Sequence, residues 1–273
     1  MHPKHENGLV YVATVRNRYV EEAFISADSV KQHCPHLNIT LFTDKPDHHL
    51  CSKGVFNEVR TVTRAFSVRT PWGEGQINRI RALMQTPYAY TLHLDTDTRI
   101  RTAELESIFE ALDRAEIGMV EDPERFSYCR SLLHKPMFNG GLVLYRKNDR
   151  VMELLSAWLA LAEQHAQFGA MANLPHIPIL DVVENEMDRR KLLFNDQTAL
   201  VQLFSPEVNK FDLKYEVLDY CWNARKLHGP ETGGRPVRIL HYHLFDMHAP
   251  ALELALQRVV AQKQAPNGVA AGA

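Results

Sequence analysis

Cysteine is scarce in this chain: 273 residues include four, Cys34, Cys51, Cys129 and Cys221, with no Cys-x-x-Cys pair among them. That usage excludes a disulfide framework and a finger-type structural zinc, and it predicts free thiols in a reducing, cytoplasmic setting. Excess charge is lacking too. Lys+Arg number 31 against 33 Asp+Glu, a net charge of −2, so bulk charge recruits neither nucleic acid nor an anionic membrane. Apolar runs stay well short of the ~20 residues that cross a bilayer, so no transmembrane segment is expected. No apolar stretch follows the basic residues of the first eight positions, so no signal peptide is expected either. The chain also has no internal repeat, no His-Glu-x-x-His helix and no Gly-rich phosphate loop after its first apolar run.

What is present is an alternation of short apolar runs and amphipathic stretches. Residues 8–14, 38–43, 55–63 and 90–94 predict strands; 18–33 and 76–84 predict helices between them. Further on, 117–121, 138–145 and 237–241 predict strands, 151–168 predicts a helix, and Asn195 reads as the N-cap of another. The fold class is therefore α/β: a Rossmann-like, mostly parallel central sheet with helices on both faces. In such sheets ligands sit at the carboxyl ends of the strands, where Thr14 and Asp95 fall. Residues 251–262 predict an amphipathic helix whose default dock is its own domain, with peripheral membrane contact as an alternative. The small-residue end, 265–273, predicts disorder.

Three constellations carry chemistry. Asp95-Thr96-Asp97 follows the apolar strand Tyr90–Leu94, and two carboxylates at that spacing can each give an oxygen to a hard divalent cation. The same pattern also ends strands with no ion present. His241-Tyr-His243 puts two imidazoles on one face of a late strand end, suited to a metal or merely to a polar sheet margin. Asn139-Gly140-Gly141 opens an apolar strand, where paired glycines make either a bulge or a close approach of backbone to ligand. Asp196-Gln197 and Glu121-Asp122-Pro123 are ordinary helix-start and strand-end residues taken singly. Trp158 and Trp222 read as core.

In their order these segments resemble the glycogenin and lipopolysaccharide-galactosyltransferase group of GT-A glycosyltransferases. The resembling parts are Val12-Ala-Thr14 with Tyr19, Leu41-Phe-Thr43, Thr86 through Thr98, Phe138 through Tyr145, Asn195-Asp-Gln197 and Ile239-Leu-His241, together spanning roughly residues 8–245. The resemblance implies a single GT-A domain over 1–250, with 8–98 as nucleotide-binding half, 99–250 as sugar and acceptor half, and 251–273 as helix and tail. It implies Asp95, Asp97 and His241 as ligands of Mn²⁺ or Mg²⁺. Ala13, Thr14 and Tyr19 would meet the base, and Arg79 the donor. Asp122, Asn139, Gly140, Asp196 and Gln197 would line the sugar pocket, with Gln197 under the anomeric carbon of a retaining reaction. The expected partners are a nucleotide-sugar, UDP-linked, and a glycan, glycolipid or small-molecule acceptor.

The chain departs from the group at Met247, where the group has a diphosphate-binding lysine, and at Leu193, where it has an acidic residue. Phosphate binding then falls to His243, His248 or a loop arginine. Should the reaction invert, Asp122 or Asp196 would be the base. Two other readings stand beside glycosyl transfer: a metal-dependent hydrolase using His241, His243 and the two aspartates, and a nucleotide-sugar-binding homologue without turnover.

Overall fold

The computed structural model describes residues 6–63, 71–241, 254 and 256–261. Strand β1 (Asn7–Ala13) leads into helix α1 (Asn17–His33), then β2 (Asn38–Thr43), β3 (Glu58–Thr61), α2 (Pro71–Met84) and β4 (Tyr90–Leu94). A short β5 (Thr98–Ile100) and a 3-10 helix (Leu105–Asp113) precede β6 (Ile117–Glu121), α3 (Tyr128–Leu133) and β7 (Phe138–Arg146). The long α4 (Asp149–Ala170), then α5 (Glu186–Leu193), α6 (Asp196–Leu203), β8 (Tyr215–Leu218) and β9 (Ile239–His241) complete it. Seven strands form one sheet in the order β3-β2-β1-β4-β7-β6-β8, while β5 and β9 pair separately.

Strand alternation divides the core between the two faces. Leu9, Tyr11 and Ala13 pack with α1 and the 3-10 helix on one side; Val10 and Val12 pack with α2, α4 and α6 on the other. Leu142 and Leu144 against Val143 and Tyr145 repeat the division in β7. Helices therefore cover both faces, as the alternation of elements predicts, and Trp158 and Trp222 are buried. Leu256, Val259 and Val260 pack against the α1-side core, which seats the described part of the C-terminal helix on its own domain.

The sheet is mostly parallel, as expected, with one strand reversed. β7 runs antiparallel to both β4 and β6, whereas the other pairings are parallel. A strand buried on both faces is an apolar run read in either direction, so its sense is not in the pattern. The predicted strand over 55–63 contracts to Glu58–Thr61, which pairs on one side only, with β2. The consequence for function is positional. Because β7 is antiparallel, its beginning, Asn139-Gly-Gly141, lies against the end of β4, and Asp95 N–H donates to Gly141 O at 2.8 Å.

Candidate active site

Two turns at the carboxyl ends of β1 and β4 bound an open cleft. After β1 the chain turns at Val15, with Arg16 N–H bonded to Thr14 O at 3.0 Å. Val15 has φ of 78°, a strained conformation for a β-branched residue. Its N–H donates to both carboxylate oxygens of Asp44 at 3.1 Å, which holds the turn against that strain. Thr14 then faces the cleft and accepts from Asn78 Nδ2 at 3.2 Å.

The second turn is Asp95-Thr96-Asp97. Thr98 Oγ1 donates to Asp95 O at 2.9 Å and belongs to a buried hydroxyl chain with Ser26 (2.8 Å) and Tyr11 (2.7 Å), so the turn is pinned on α1. Thr96 donates to Glu22 Oε2 at 3.1 Å. Directly after the turn, β5 pairs with β9 in a register that sets Thr98 opposite His241. Sequence-distant candidate ligands thus converge: His241 Nε2 lies 3.2 Å from Asp97 Oδ1 and 3.7 Å from Asp95 Oδ2.

These residues fit a divalent cation. One donor atom from each of Asp95, Asp97 and His241 falls within 4.8 Å of the others. Two carboxylate oxygens with one imidazole nitrogen suit Mn²⁺ and, less closely, Mg²⁺, which favours an all-oxygen shell. Gly141 leaves the room they need. A Cβ there would stand 2.5 Å from His241 Cε1 and 2.6 Å from Asp95 Oδ2.

Arg79 projects from α2 between two carboxylates, with Nη1 on Asp95 Oδ1 at 2.9 Å and Nη2 on Asp196. Burial opposes its charge, yet the two carboxylates hold its pKa above the ordinary value. Burial also pulls Asp95 upward, but Arg79, His93 and His241 together keep its carboxyl well below the usual range. For Asp196 burial prevails over the pull of Arg79 and raises its pKa. Glu22 is likewise raised by burial, with Asp97 adding to the effect. A Cβ at Gly140 would approach Arg79 Nη2 to 2.8 Å, so this glycine makes room for the guanidinium.

The far wall is the start of α6. Asn195 caps it, accepting from Gln197 N–H at 3.0 Å, as its N-cap reading predicts. Trp158 Nε1 donates to Asp196 O at 2.8 Å and Gln76 Oε1 accepts from Asp196 N–H at 2.6 Å, fixing this end. Gln197 Nε2 donates to Phe138 O at 2.9 Å. Asp196 Oδ1 is buried and finds no partner among the described residues.

Most residues expected at the site line this one cleft: Thr14, Tyr19, Arg79, Asp95, Thr96, Asp97, Asn139, Gly140, Asp196, Gln197 and His241. Ala13 does not. Alternate side chains of a strand face opposite ways, and its methyl is in the α1-side core. Asp122 is buried behind Asn139, whose Nδ2 donates to it at 3.1 Å, and stands off the cleft wall. His243, Met247 and His248 lie outside the described residues. Glu22, Gln76 and Arg225 line the cleft without having been singled out by sequence. Only Glu22 left a trace there, as the i+4 partner of Arg18 on an amphipathic helix, with Arg18 Nε donating at 2.6 Å.

No family profile matches the chain, and no curated protein matches it by sequence. Solved structures do match. Galactosyltransferase LgtC, solved in complex with donor and acceptor sugar analogs, aligns over 96% of this chain and 97% of its own, at 15% identity and a TM-score of 0.55. GlyE, a glycosyltransferase of Streptococcus pneumoniae TIGR4, aligns over 93% of this chain and 62% of its own, at 13% identity and a TM-score of 0.56. The chain has the GT-A glycosyltransferase fold. An active-site mutant of LgtC repeats the likeness, at a TM-score of 0.52 and 14% identity over 93% of this chain and 95% of its own. Within this GT-A fold the cleft, the Asp-x-Asp turn and the late-strand histidine meet at the carboxyl ends of the middle strands β1 and β4.

Proposed function

We propose that the chain is a metal-dependent glycosyltransferase that moves a sugar from a nucleoside-diphosphate sugar, UDP-linked, to a hydroxyl of a glycan, glycolipid or small-molecule acceptor. The observation that carries the proposal is the shared cleft: a cation-ready Asp95–Asp97–His241 group lines it together with Asp196 and Gln197, and Arg79 bridges Asp95 to Asp196. Such a group needs a charged partner ligand, and the wall needs a polar one with hydroxyls. A nucleotide-sugar supplies both.

A bound Mn²⁺ or Mg²⁺ would neutralise the diphosphate as it leaves. The protein's own residues do the rest. Thr14 and Tyr19 offer a polar edge and a ring to the nucleoside end. Arg225 brings a guanidinium to the cleft on the His241 side, and in this reading it contacts the diphosphate where the lysine position is Met247. The partnerless Asp196 Oδ1 accepts from a sugar hydroxyl, while Arg79 keeps that carboxylate oriented. Gln197, held by Phe138 O, offers its remaining amide atoms to the sugar.

A retaining course fits this reading. An inverting reaction needs a base at the acceptor hydroxyl; here the open oxygen of Asp196 is given to the donor sugar, and Asp122 stands off the wall. Asp97→Ala should lower Mn²⁺-dependent donor hydrolysis at least about 100-fold. Turnover unchanged by that substitution contradicts the proposal. Calorimetry with UDP and Mn²⁺, set beside the turnover assay, separates an enzyme from a protein that only binds.

A further inference from the structure

His241 is backed by a line of buried amides. Its Nδ1 lies 2.7 Å from Asn223 Oδ1, Asn223 Nδ2 donates to Asn139 Oδ1 at 3.0 Å, and Asn139 Nδ2 donates to Asp122 Oδ2 at 3.1 Å. All four side chains are buried, none more than 4% exposed. An amide can be turned over to exchange its oxygen and nitrogen, so its sense must be set by neighbours that only donate or only accept. This line has one of each. The backbone N–H of Gly141, which can only donate, is 2.8 Å from Asn139 Oδ1. The carboxylate of Asp122 accepts at the other side of the same amide.

The sense then propagates. Asn139 presents oxygen to Asn223; Asn223 must answer with its nitrogen and turn its own oxygen to His241. A ring nitrogen facing that oxygen at hydrogen-bond distance carries the proton. Nδ1 therefore carries a proton, and Nε2 is the nitrogen that faces Asp97 and Asp95. Asn223 itself is set firmly. Ala224 N–H donates to Ile239 O at 3.0 Å and His241 N–H to Ala224 O at 2.8 Å, which lays this irregular segment along β9.

We propose that Asn223 is the positioning residue of the metal centre. It locks His241 in the tautomer whose Nε2 can ligate a divalent cation, and through Asn139 it ties that lock to Asp122. This inference rests on Asp95, Asp97 and His241 being the metal ligands. Partners that fix a ligating imidazole in this way are worth about 10- to 100-fold in metal affinity.

The test uses the full chain with Mn²⁺ alone, without donor or acceptor. Long-range ¹⁵N–¹H correlation spectra of the metal-free chain read the tautomer of His241, and electron paramagnetic resonance of free Mn²⁺ reads the affinity. Wild-type protein should show Nδ1–H at His241. Asn223→Ala should show a mixture of tautomers and bind Mn²⁺ about 10- to 100-fold more weakly. Asn223→Asp keeps an acceptor for Nδ1 and should keep Nδ1–H, a rescue that general packing damage does not allow, although its second oxygen replaces the donor to Asn139 Oδ1. A bare Nδ1 with Nε2–H in the wild type, or wild-type Mn²⁺ affinity in Asn223→Ala, overturns the proposal. So does loss of Nδ1–H in Asn223→Asp. Should Asn223→Ala not fold, the wild-type tautomer and the aspartate variant decide. If wild-type protein binds no Mn²⁺, it is the metal reading of the site that fails, and the spectra still report whether Asn223 holds the ring.

Discussion

At the residue scale the site depends as much on an absent side chain as on the ligands. Gly141 lets β7 pass beside the acidic turn, and an added methyl would meet three groups at once: His241, Asp95 and Asn139 Oδ1 at 2.8 Å. Two of those are proposed ligands and the third belongs to the amide line. Gly141→Ala should therefore weaken Mn²⁺ binding by at least about tenfold, through displaced ligands rather than lost ones. A calorimetric titration matching wild type contradicts that assignment. The Asp95-Thr96-Asp97 turn was legible in the sequence because its chemistry is local: an apolar strand, then carboxylates at ligand spacing. Asn223 was not. It lies in an irregular stretch, and its importance comes from His241, 18 positions away, brought to it by the pairing of Ala224 with Leu240.

At the scale of elements, α6 works through its first turn. Asn195 caps it, and the cap sets the two first-turn residues that face the cleft. Asn195→Ala should cost about 1 kcal/mol of stability in denaturant unfolding. It should also raise the KM for donor, because Asp196 and Gln197 lose their fixed start. An unchanged KM would separate the cap from the site. The contact of α4 with α6 carries a pH signature. His165 on α4 is buried, with Nε2 3.1 Å from Gln202 Nε2, and burial pushes its pKa down to about 4. An unfolded histidine titrates near 6.5, so between those values the unfolded chain binds the extra proton. The neutral ring's contribution is present above about pH 6.5 and is lost as pH falls toward 4. Replacing His165 by Gln should flatten that limb of the stability curve by roughly 3 kcal/mol at its acid end. An unaltered pH slope would contradict a neutral, buried His165. The elements themselves were largely legible from periodicity, except where periodicity is silent. β5 has three residues, too few to show a period, and β7 hides its direction in an apolar run. Yet β5, β7 and β9 are the strands that assemble the metal group.

At the scale of the whole molecule, the GT-A fold survives at 15% identity to LgtC because its demands on sequence are coarse. Alternating faces of β1 and β7 must be apolar, strand ends must be polar, and glycine must stand where two walls approach. Those demands were readable. The convergence of residues 95, 97 and 241 was not readable from spacing, only from the order of segments that the chain shares with a known group. Convergence also has a thermodynamic consequence. A cation that binds folded chain and not unfolded chain stabilises it by about 2.7 kcal/mol at 100 times its Kd. Saturating Mn²⁺ should thus raise Tm by several degrees, and a chelator should return it. No shift with Mn²⁺, in wild type and Asp97→Ala alike, would contradict a metal site built from these ligands.

The central claim is sugar transfer from a nucleotide donor, and it can be tested without knowing the acceptor. A panel of nucleoside-diphosphate sugars is incubated with the protein and Mn²⁺, and released nucleotide and sugar are measured. The account predicts slow hydrolysis of a UDP-linked donor that disappears in the presence of a chelator and in Asp97→Ala. Release from no member of the panel, or release that neither treatment changes, would contradict it.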